Sequence, residues 1–421
     1  MNMCKCFKCD TCETLIDCRI GMSNRDIQPF QFACPSCEQK ITFTFGTADG
    51  ELAGASEILD FKAPFEGTNP FVDLHLDFPV EFGRYVMGNT AFMKTVSQLG
   101  HEAYHHLNHR LDLINILYSK QGSLKSLITQ FKRGDIKTFE KVCAHVPGVS
   151  LKSHAKEDVL AAVYSATSIM SSPFTIHEHN EELSKQFPIL LEMIYGQHPN
   201  KTTELLKSII ANDFLKTLHF DCLSVYPKIV EFDLLIRPAL YYDYYTPEEL
   251  NRIPARVSTA DFDSCSNFYK DLSEIFSRQL NLIAGINNLM KRGDFDLFEA
   301  SKRVNAKGEI IKELTTLNNY ANMDLGRKID VIDDPFYMID MNAIDNKLRN
   351  AIAHYKYEYK ESTQLITYYP SKEGMHRAKY HEIYFMEFVR KMLLLFREVH
   401  TLNHTIKGLF FFSIFILKLD V

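Results

Sequence analysis

The spacing of hydrophobic positions along this chain changes character several times. Ile41-Thr42-Phe43-Thr44-Phe45 alternates apolar with polar, the period-two pattern of a half-buried strand, and Val72-Asp73-Leu74-His75-Leu76-Asp77-Phe78 repeats it. From about Thr90 to about Leu250 apolar residues recur at helical spacing. Between Tyr241 and Asp261 the run Tyr-Tyr-Asp-Tyr-Tyr, with Pro247, Pro254 and Ser258-Thr259, breaks that pattern and marks a domain boundary. Beyond it the pattern predicts a long helix from Asp263 to about Met290 and a second from Asp294 through the Leu314–Leu317 region. A further helix start is expected at Asp333-Asp334-Pro335, with Asp334 as cap and Pro335 in the first turn.

Residues 355–360 alternate again, and residues 364–369 do so less cleanly, which predicts a β-hairpin or extended insert. A final helix is expected from about His381 to Lys407, ahead of the apolar run Leu409–Leu417. That run is too short for a bilayer, so no stable membrane insertion is expected; it reads as a buried terminal helix or strand, or as part of a dimer interface. The fold class is therefore mainly α, with a helical middle region, a C-terminal helical bundle and a small N-terminal β zinc ribbon. The expected domains are 1–47 for the ribbon, 48–90 for a linker with a short β hairpin, 91–255 for the helical middle and 256–421 for the bundle.

Composition narrows the function. A hydrophobic content of 46% and a charged content of 24% are those of an ordinary globular protein. The net charge of −6 excludes a strongly basic nucleic-acid binder, so any RNA contact must come from a local patch. Of the cysteines, Cys4, Cys6, Cys9, Cys12, Cys18, Cys34 and Cys37 crowd the N-terminus, and only Cys143, Cys222 and Cys265 lie elsewhere. This is the pattern of a local metal site in a reducing compartment; with no signal peptide apparent, a cytoplasmic location is expected. Cys9-x2-Cys12 and Cys34-x2-Cys37 are paired knuckles at zinc-ribbon spacing, which predicts one structural Zn²⁺ per chain and leaves Cys6-x2-Cys9 as a competing first knuckle.

Two other patterns stand out. His101-Glu102-Ala103-Tyr104-His105 matches H-E-x-x-H, the zinc metalloprotease motif, but Asn108 and Leu111 occupy the places where its longer form carries Gly and His, and nothing singles out Glu140 as a third ligand. Lys132-Arg133-Gly134-Asp135 recurs as Lys291-Arg292-Gly293-Asp294, which suits a helix end with a Gly break and an Asp cap for the next helix. Punctuation between helices is favoured over a duplicated hairpin.

The segment Lys347-Leu348-Arg349-Asn350-Ala351-Ile352-Ala353-His354-Tyr355 carries the chemistry. Ile344, Leu348, Ile352 and Tyr355 should form a buried apolar face, with Asn350 and His354 sharing another and Arg349 at its edge. A permanent cation and an imidazole within reach of one phosphodiester are the minimum parts for cleaving RNA without a metal. The competing structural role for Arg349 is an ion pair with Asp345. Tyr355, Lys356, Tyr357 and Lys360 beside the motif are candidates for stacking on and neutralising unpaired RNA, against the simpler role of a hairpin packing its own tyrosines.

Arg349-Asn350-x3-His354, late in a helical C-terminal region, resembles the signature of the HEPN superfamily of small helical-bundle ribonucleases. The resemblance covers about the last third of the chain. It implies an endoribonuclease with no catalytic metal, in which His354 is the acid/base group, Arg349 holds the phosphate and Asn350 orients either. It further implies RNA as partner, 2′,3′-cyclic phosphate products, a homodimer through the C-terminal bundle, and service as a toxin or phage-defence effector. The alternatives are a non-catalytic helical RNA- or nucleotide-binding module and, third, the H-E-x-x-H metalloprotease.

Overall fold

The alternating stretches form strands and most of the helical-period stretches form helices. The computed structural model describes residues 2–46, 50–176, 182–245, 254–370 and 379–421. The N-terminal part contains β1 (Asn2–Cys9), β2 (Leu15–Gly21), β3 (Gln28–Ala33), β4 (Lys40–Phe45), β5 (Ala55–Ile58), β6 (Phe71–His75) and β7 (Val80–Glu81). Helices α1 (Ala91–Tyr118), α2 (Gln121–Arg133), α3 (Ile136–Cys143), α4 (Lys156–Thr175), α5 (Leu183–Gln197), α6 (Pro199–Ala211), α7 (Phe214–Glu231) and α8 (Asp233–Leu240) follow. After strand β8 (Ala255–Arg256) come α9 (Phe262–Arg292), α10 (Leu317–Tyr320), α11 (Leu325–Val331) and α12 (Asn346–Ala353). The chain ends with β9 (Tyr357–Lys360), β10 (Leu365–Tyr368), β11 (His381–Tyr384) and α13 (Phe385–Phe415). The fold is mainly α with a small β region at the N-terminus, as the patterning predicts. Among the described residues no helix is long and apolar enough to cross a membrane.

The chain divides into two compact units. The first comprises Met1–Ser119, Val230–Phe268 and Lys347–Leu393; the second comprises Lys120–Ile229, Tyr269–Asn346 and Leu394–Val421. Both are assembled from segments distant in sequence, whereas the expected domains 91–255 and 256–421 are contiguous. A hydrophobic period reports which face of a helix is buried, not which distant segment covers it.

In the first unit, a four-stranded sheet has the order β5-β1-β2-β6, and β3 pairs with β4. Phe7, Ile16, Ile20, Phe30, Phe32, Ile41, Phe43, Val72 and Leu74 share one core, with the Phe7 and Phe30 rings 5.4 and 5.3 Å from Phe43. Each such side chain contributes about 1.5–3 kcal/mol on burial. The strands within residues 50–90 close on the ribbon, as expected, but do not pair with each other as a hairpin. β5 pairs antiparallel with β1, and β6 pairs parallel with the other side of β2. The β1–β2 pair would otherwise leave two edges of unpaired backbone groups, which these strands satisfy.

The tyrosine-rich stretch expected to be a boundary is also part of this unit's interior. Tyr241 and Tyr242 are buried, and the Asp243 carboxylate, fully buried, accepts from Arg110 Nη2 at 2.8 Å and from Arg390. Residues 246–253 of that stretch lie outside the described residues.

In the second unit, the two Lys-Arg-Gly-Asp copies both end a helix. Gly134 and Gly293 have φ of 71° and 72°, the left-handed conformation that closes a helix C-terminus at no steric cost to glycine. Asp135 then caps α3 through the Thr138 amide, at 3.1 Å. Asp294 instead bonds the Asp296 amide in a turn, and the helix expected from Asp294 to the Leu314–Leu317 region is absent. A 3-10 turn at Lys312–Leu314 and the short α10 and α11 form there instead, around Phe298, Leu314 and Tyr320. No helix begins at Pro335 either, because both acids are otherwise engaged. Asp333 accepts two bonds of 2.8 Å from Arg292, and Asp334, at φ 39°, lies 2.6 Å from Lys291. The last helix also starts later than expected: residues 381–384 form β11 beside β10, and α13 carries the apolar run as helix to Phe415. Leu409, Phe410 and Phe412 are buried, while Phe415 and Ile416 are each 47% exposed.

Three histidines of this unit are held neutral. Burial pulls His219 down to about 3 and His404 down to about 4, and it holds His400 well below the ordinary imidazole range. The folded pKa values are depressed, so the stability these groups contribute is full above the unfolded value of about 6.5 and falls as pH drops toward the folded values. Lowering the pH from 7 to 5 is expected to remove about 2 kcal/mol through each of His219 and His404, with His400 acting in the same direction. Urea denaturation across this range measures it, and His404→Gln should flatten the slope.

Candidate functional site

The four predicted cysteine ligands come together. Cys9, Cys12, Cys34 and Cys37 place their sulfurs within 4.8 Å of one another, with Cys9–Cys37 and Cys12–Cys34 separations of 3.6 Å. Two loops of the same build hold them. In the first, between β1 and β2, the Cys9 amide donates to the Thr14 carbonyl and the Glu13 amide donates back to the Cys9 carbonyl, both at 3.0 Å. In the second, between β3 and β4, the Cys34 amide donates to Gln39 at 2.8 Å and the Glu38 amide to Cys34 at 2.9 Å. Glu13 and Glu38 follow the second cysteine of each pair with φ of 58° and 62°, so each Cys-x2-Cys-Glu loop turns its two thiols to one side.

The Thr14 hydroxyl and then its amide pull the Cys12 thiol down to about 6, whereas burial raises Cys34. Cys6, the alternative first ligand, is held extended in β1 opposite Asp17 and Ile58 and is absent from the cluster. Among the described residues these cysteines are the one group of three or more candidate ligands within such reach.

The metalloprotease motif gathers no such set. His101 and His105 are exposed on α1 just after its break at Gly100, with their Nε2 atoms 3.0 Å apart. Glu140, the residue considered as a third ligand, lies 2.9 Å from His154.

Arg349 and Asn350 lie in the middle of α12, and His354 directly follows its last residue. Leu348, Ala351 and Ile352 bury its apolar face. The helix closes through a Schellman motif: the Lys356 amide donates to Ala351 at 2.8 Å and the Tyr355 amide to Ile352 at 3.3 Å. Tyr355 takes the left-handed position usually given to glycine, at φ 54°, and turns out to 85% exposure. It therefore leaves the buried face that helical spacing assigned to it, because the helix has already ended. His354 is the C-cap residue and is exposed, as is Asn350. Arg349 is half-buried, which lowers its pKa from the ordinary guanidinium value, and its Nη1 donates to Asn350 Oδ1 at 2.9 Å.

The hairpin expected after the motif exists as β9 and β10, extended by β11. Tyr357, a candidate base-stacking residue, is turned to packing: its ring meets Phe262 edge-on at 4.9 Å and its hydroxyl donates to Asp263 at 2.8 Å. Lys360 is exposed and Lys356 half-buried. Gln364 does not stand out in the sequence, yet its buried amide both donates to and accepts from Val257 and so pins the hairpin. Nor does Ser362, which donates to Glu38 of the second cysteine loop at 2.6 Å. Neither carries a local signal, since both partners are remote in sequence.

Elemental analysis of the purified chain is expected to find one metal ion per molecule at the cysteine cluster. Cys12→Ser and Cys37→Ser should lose it, while Cys6→Ser should keep it; retention in both of the first two variants would contradict the ligand set. Comparison with known proteins found no family model, no curated protein and no solved structure that matches this chain.

Proposed function

We propose that this protein is a metal-independent endoribonuclease whose chemistry is carried by Arg349, Asn350 and His354, with Zn²⁺ serving only a structural role. The observation that carries the reading is the second half of α12 and its cap, where a cation, an amide and an imidazole lie within six residues that the Schellman motif ends. In the reaction, the RNA 2′-OH loses its proton to a base and attacks the adjacent phosphorus. A new P–O2′ bond forms, the P–O5′ bond breaks, and the 5′-oxygen takes up a proton, leaving a 2′,3′-cyclic phosphate. His354 supplies the acid/base function, and Arg349 balances the charge that builds on the phosphate. Asn350, bonded to the Arg349 guanidinium, aligns it. Lys356 and Lys360 would neutralise flanking phosphates and Tyr355 would stack on a base, while Tyr357 holds the hairpin.

One imidazole cannot remove the first proton and deliver the second at the same instant. A homodimer that brings two α12 motifs to one cleft would supply both groups. Zinc suits the cysteine cluster: four thiolates at about 2.3 Å from a tetrahedral ion have sulfur separations of about 3.8 Å, close to the 3.6 Å found here. A site closed by four thiolates leaves no position for substrate. A cytoplasmic toxin or phage-defence role follows from the HEPN resemblance alone.

Sequencing RNA ends from cells that express the wild type or His354→Ala tests the proposal. His354→Ala and Arg349→Ala are each expected to lower cleavage roughly 10²–10⁴-fold, and EDTA should not inhibit the wild type. Full cleavage by both variants would sink the assignment. No turnover by the wild type, with RNA affinity lost in Arg349→Ala, would indicate a binding module. Chelator sensitivity together with loss of activity in Glu102→Gln would indicate the protease. Tyr355→Gly preserves the left-handed turn and removes the ring, so weaker RNA binding at unchanged stability is expected of it.

A further inference from the structure

The second unit holds a cavity that neither the cysteine cluster nor the α12 motif explains. It measures about 560 Å³, in the range of small-molecule sites, and lies between α5 and the last turns of α13. Phe411, Phe412 and Phe415 form one wall and Pro188 stands opposite. The Phe411 and Phe415 rings stack 5.8 Å apart and within 2° of parallel, which gives the wall a flat apolar surface.

Besides Ser184, Lys185 and Glu192 on the α5 side, two polar side chains of α13 line this space. Lys407 is half-buried, with its ammonium 5.7 Å from the centre of the Tyr164 ring, and no carboxylate pairs with it among the described residues. Burial lowers its pKa, and no neighbouring acid offsets that effect. Glu192 is exposed at the rim, and Lys185, also at the rim, is 3.0 Å from Glu182. The second polar group is His404, whose buried Nδ1 has no hydrogen-bond partner. Its Nε2 lies 3.2 Å from His400 Nε2, and His400 Nδ1 lies 2.9 Å from the Tyr226 hydroxyl. Asn403 donates to that same hydroxyl at 3.0 Å, so a chain of buried hydrogen bonds fixes the His404 ring at the cavity.

A cation kept partly out of water beside aromatic carbon is costly until an anion answers it. We propose that this cavity binds a small amphiphilic carboxylate, with its apolar body against the phenylalanine wall and its carboxylate on the Lys407 ammonium. A single cation beside a neutral imidazole balances one negative charge, which favours a monoanion over a phosphate dianion. Aromatic walls with few convergent polar groups are the usual build of such sites. The site is separate from the proposed ribonuclease chemistry and does not rest on it.

Isothermal titration calorimetry of the full chain with sodium decanoate, decanol and decylamine tests the proposal. Decanoate should bind with one equivalent, and decanol and decylamine about tenfold more weakly or not at all. Lys407→Met should weaken decanoate about tenfold while leaving decanol unchanged, and Lys407→Arg should retain decanoate binding. Equal affinity for decanol and decanoate, no binding by the folded wild type, or wild-type decanoate affinity in Lys407→Met would each overturn it. So would a dimer, detected by light scattering, that Phe415→Glu converts to monomer, since a second copy would then be the occupant.

Discussion

A guanidinium shut away from water must find all its partners inside the protein, and the first unit is built around one. Arg237 has no exposure; it donates through Nε to Asp77 at 2.6 Å, through Nη1 to Asn115 at 2.8 Å and through Nη2 to Asn24 at 2.5 Å. Asp233 lies 3.8 Å away and is also 3.2 Å from Arg25, whose own guanidinium lies 3.8 Å from the centre of the Tyr118 ring. Two cations and two anions cancel. The group draws on the loop after β2, the turn after β6, the end of α1 and the first turns of α8, and so fixes how the β module meets both helices. Burial still pushes Asp233 up to about 6 against its two arginines, which shows what desolvation charges for the arrangement. Such a network contributes little net stability, yet losing one member strands the others, so it serves as a registration device.

The sequence announced those parts of the fold whose partners are close by. The cysteine pairs recur at fixed spacing and each loop is closed by its own backbone, so their convergence could be foreseen; that Cys6 stands aside followed only from the pairing of β1. The start of α1 was legible because Thr90 caps it through a local bond to the Met93 amide. Asp333 and Asp334 misled for the opposite reason. Beside Pro335 they have the form of a helix start, but Arg292 and Lys291, some forty residues earlier, engage both carboxylates. Tyr355 was misplaced by extending a period past the end of its helix. Asp77, Asn115 and Arg237 gave no signal at all, because a buried polar group acquires its meaning only from remote partners.

The candidate catalytic turn and the cysteine loops belong to one unit, and specific contacts join them. Ser362, between β9 and β10, donates to Glu38 of the second loop, and Lys40 of β4 lies 2.9 Å from Asp261. Gln31 of β3 donates its amide to the Ser258 carbonyl at 2.7 Å, and Gln364 pins the hairpin to Val257 on the same segment. The hairpin leaves directly from the Schellman turn that ends α12. Whatever orders the cysteine loops therefore also limits where the hairpin sits, and with it the side of α12 on which Tyr355 and Lys360 stand.

Partial burial of Arg349 bears on how so small a constellation could work. A guanidinium already stripped of part of its water pays less to meet a phosphate than one on an open surface, and its planar fork loses little freedom when one nitrogen is already held. Asn350 holds that nitrogen. In the proposed chemistry Asn350 is thus a positioning residue: replacing it should disturb the orientation of Arg349 before it touches proton transfer. The imidazole is placed differently, on the cap residue beyond the last turn, where the backbone rather than a side-chain partner sets its direction. An arrangement that fixes the cation firmly and leaves the imidazole open to solvent suits a clamp that binds first and a proton carrier that adjusts afterwards. In the proposed chemistry, the left-handed turn at Tyr355 gives the cap residue a defined place relative to the clamp.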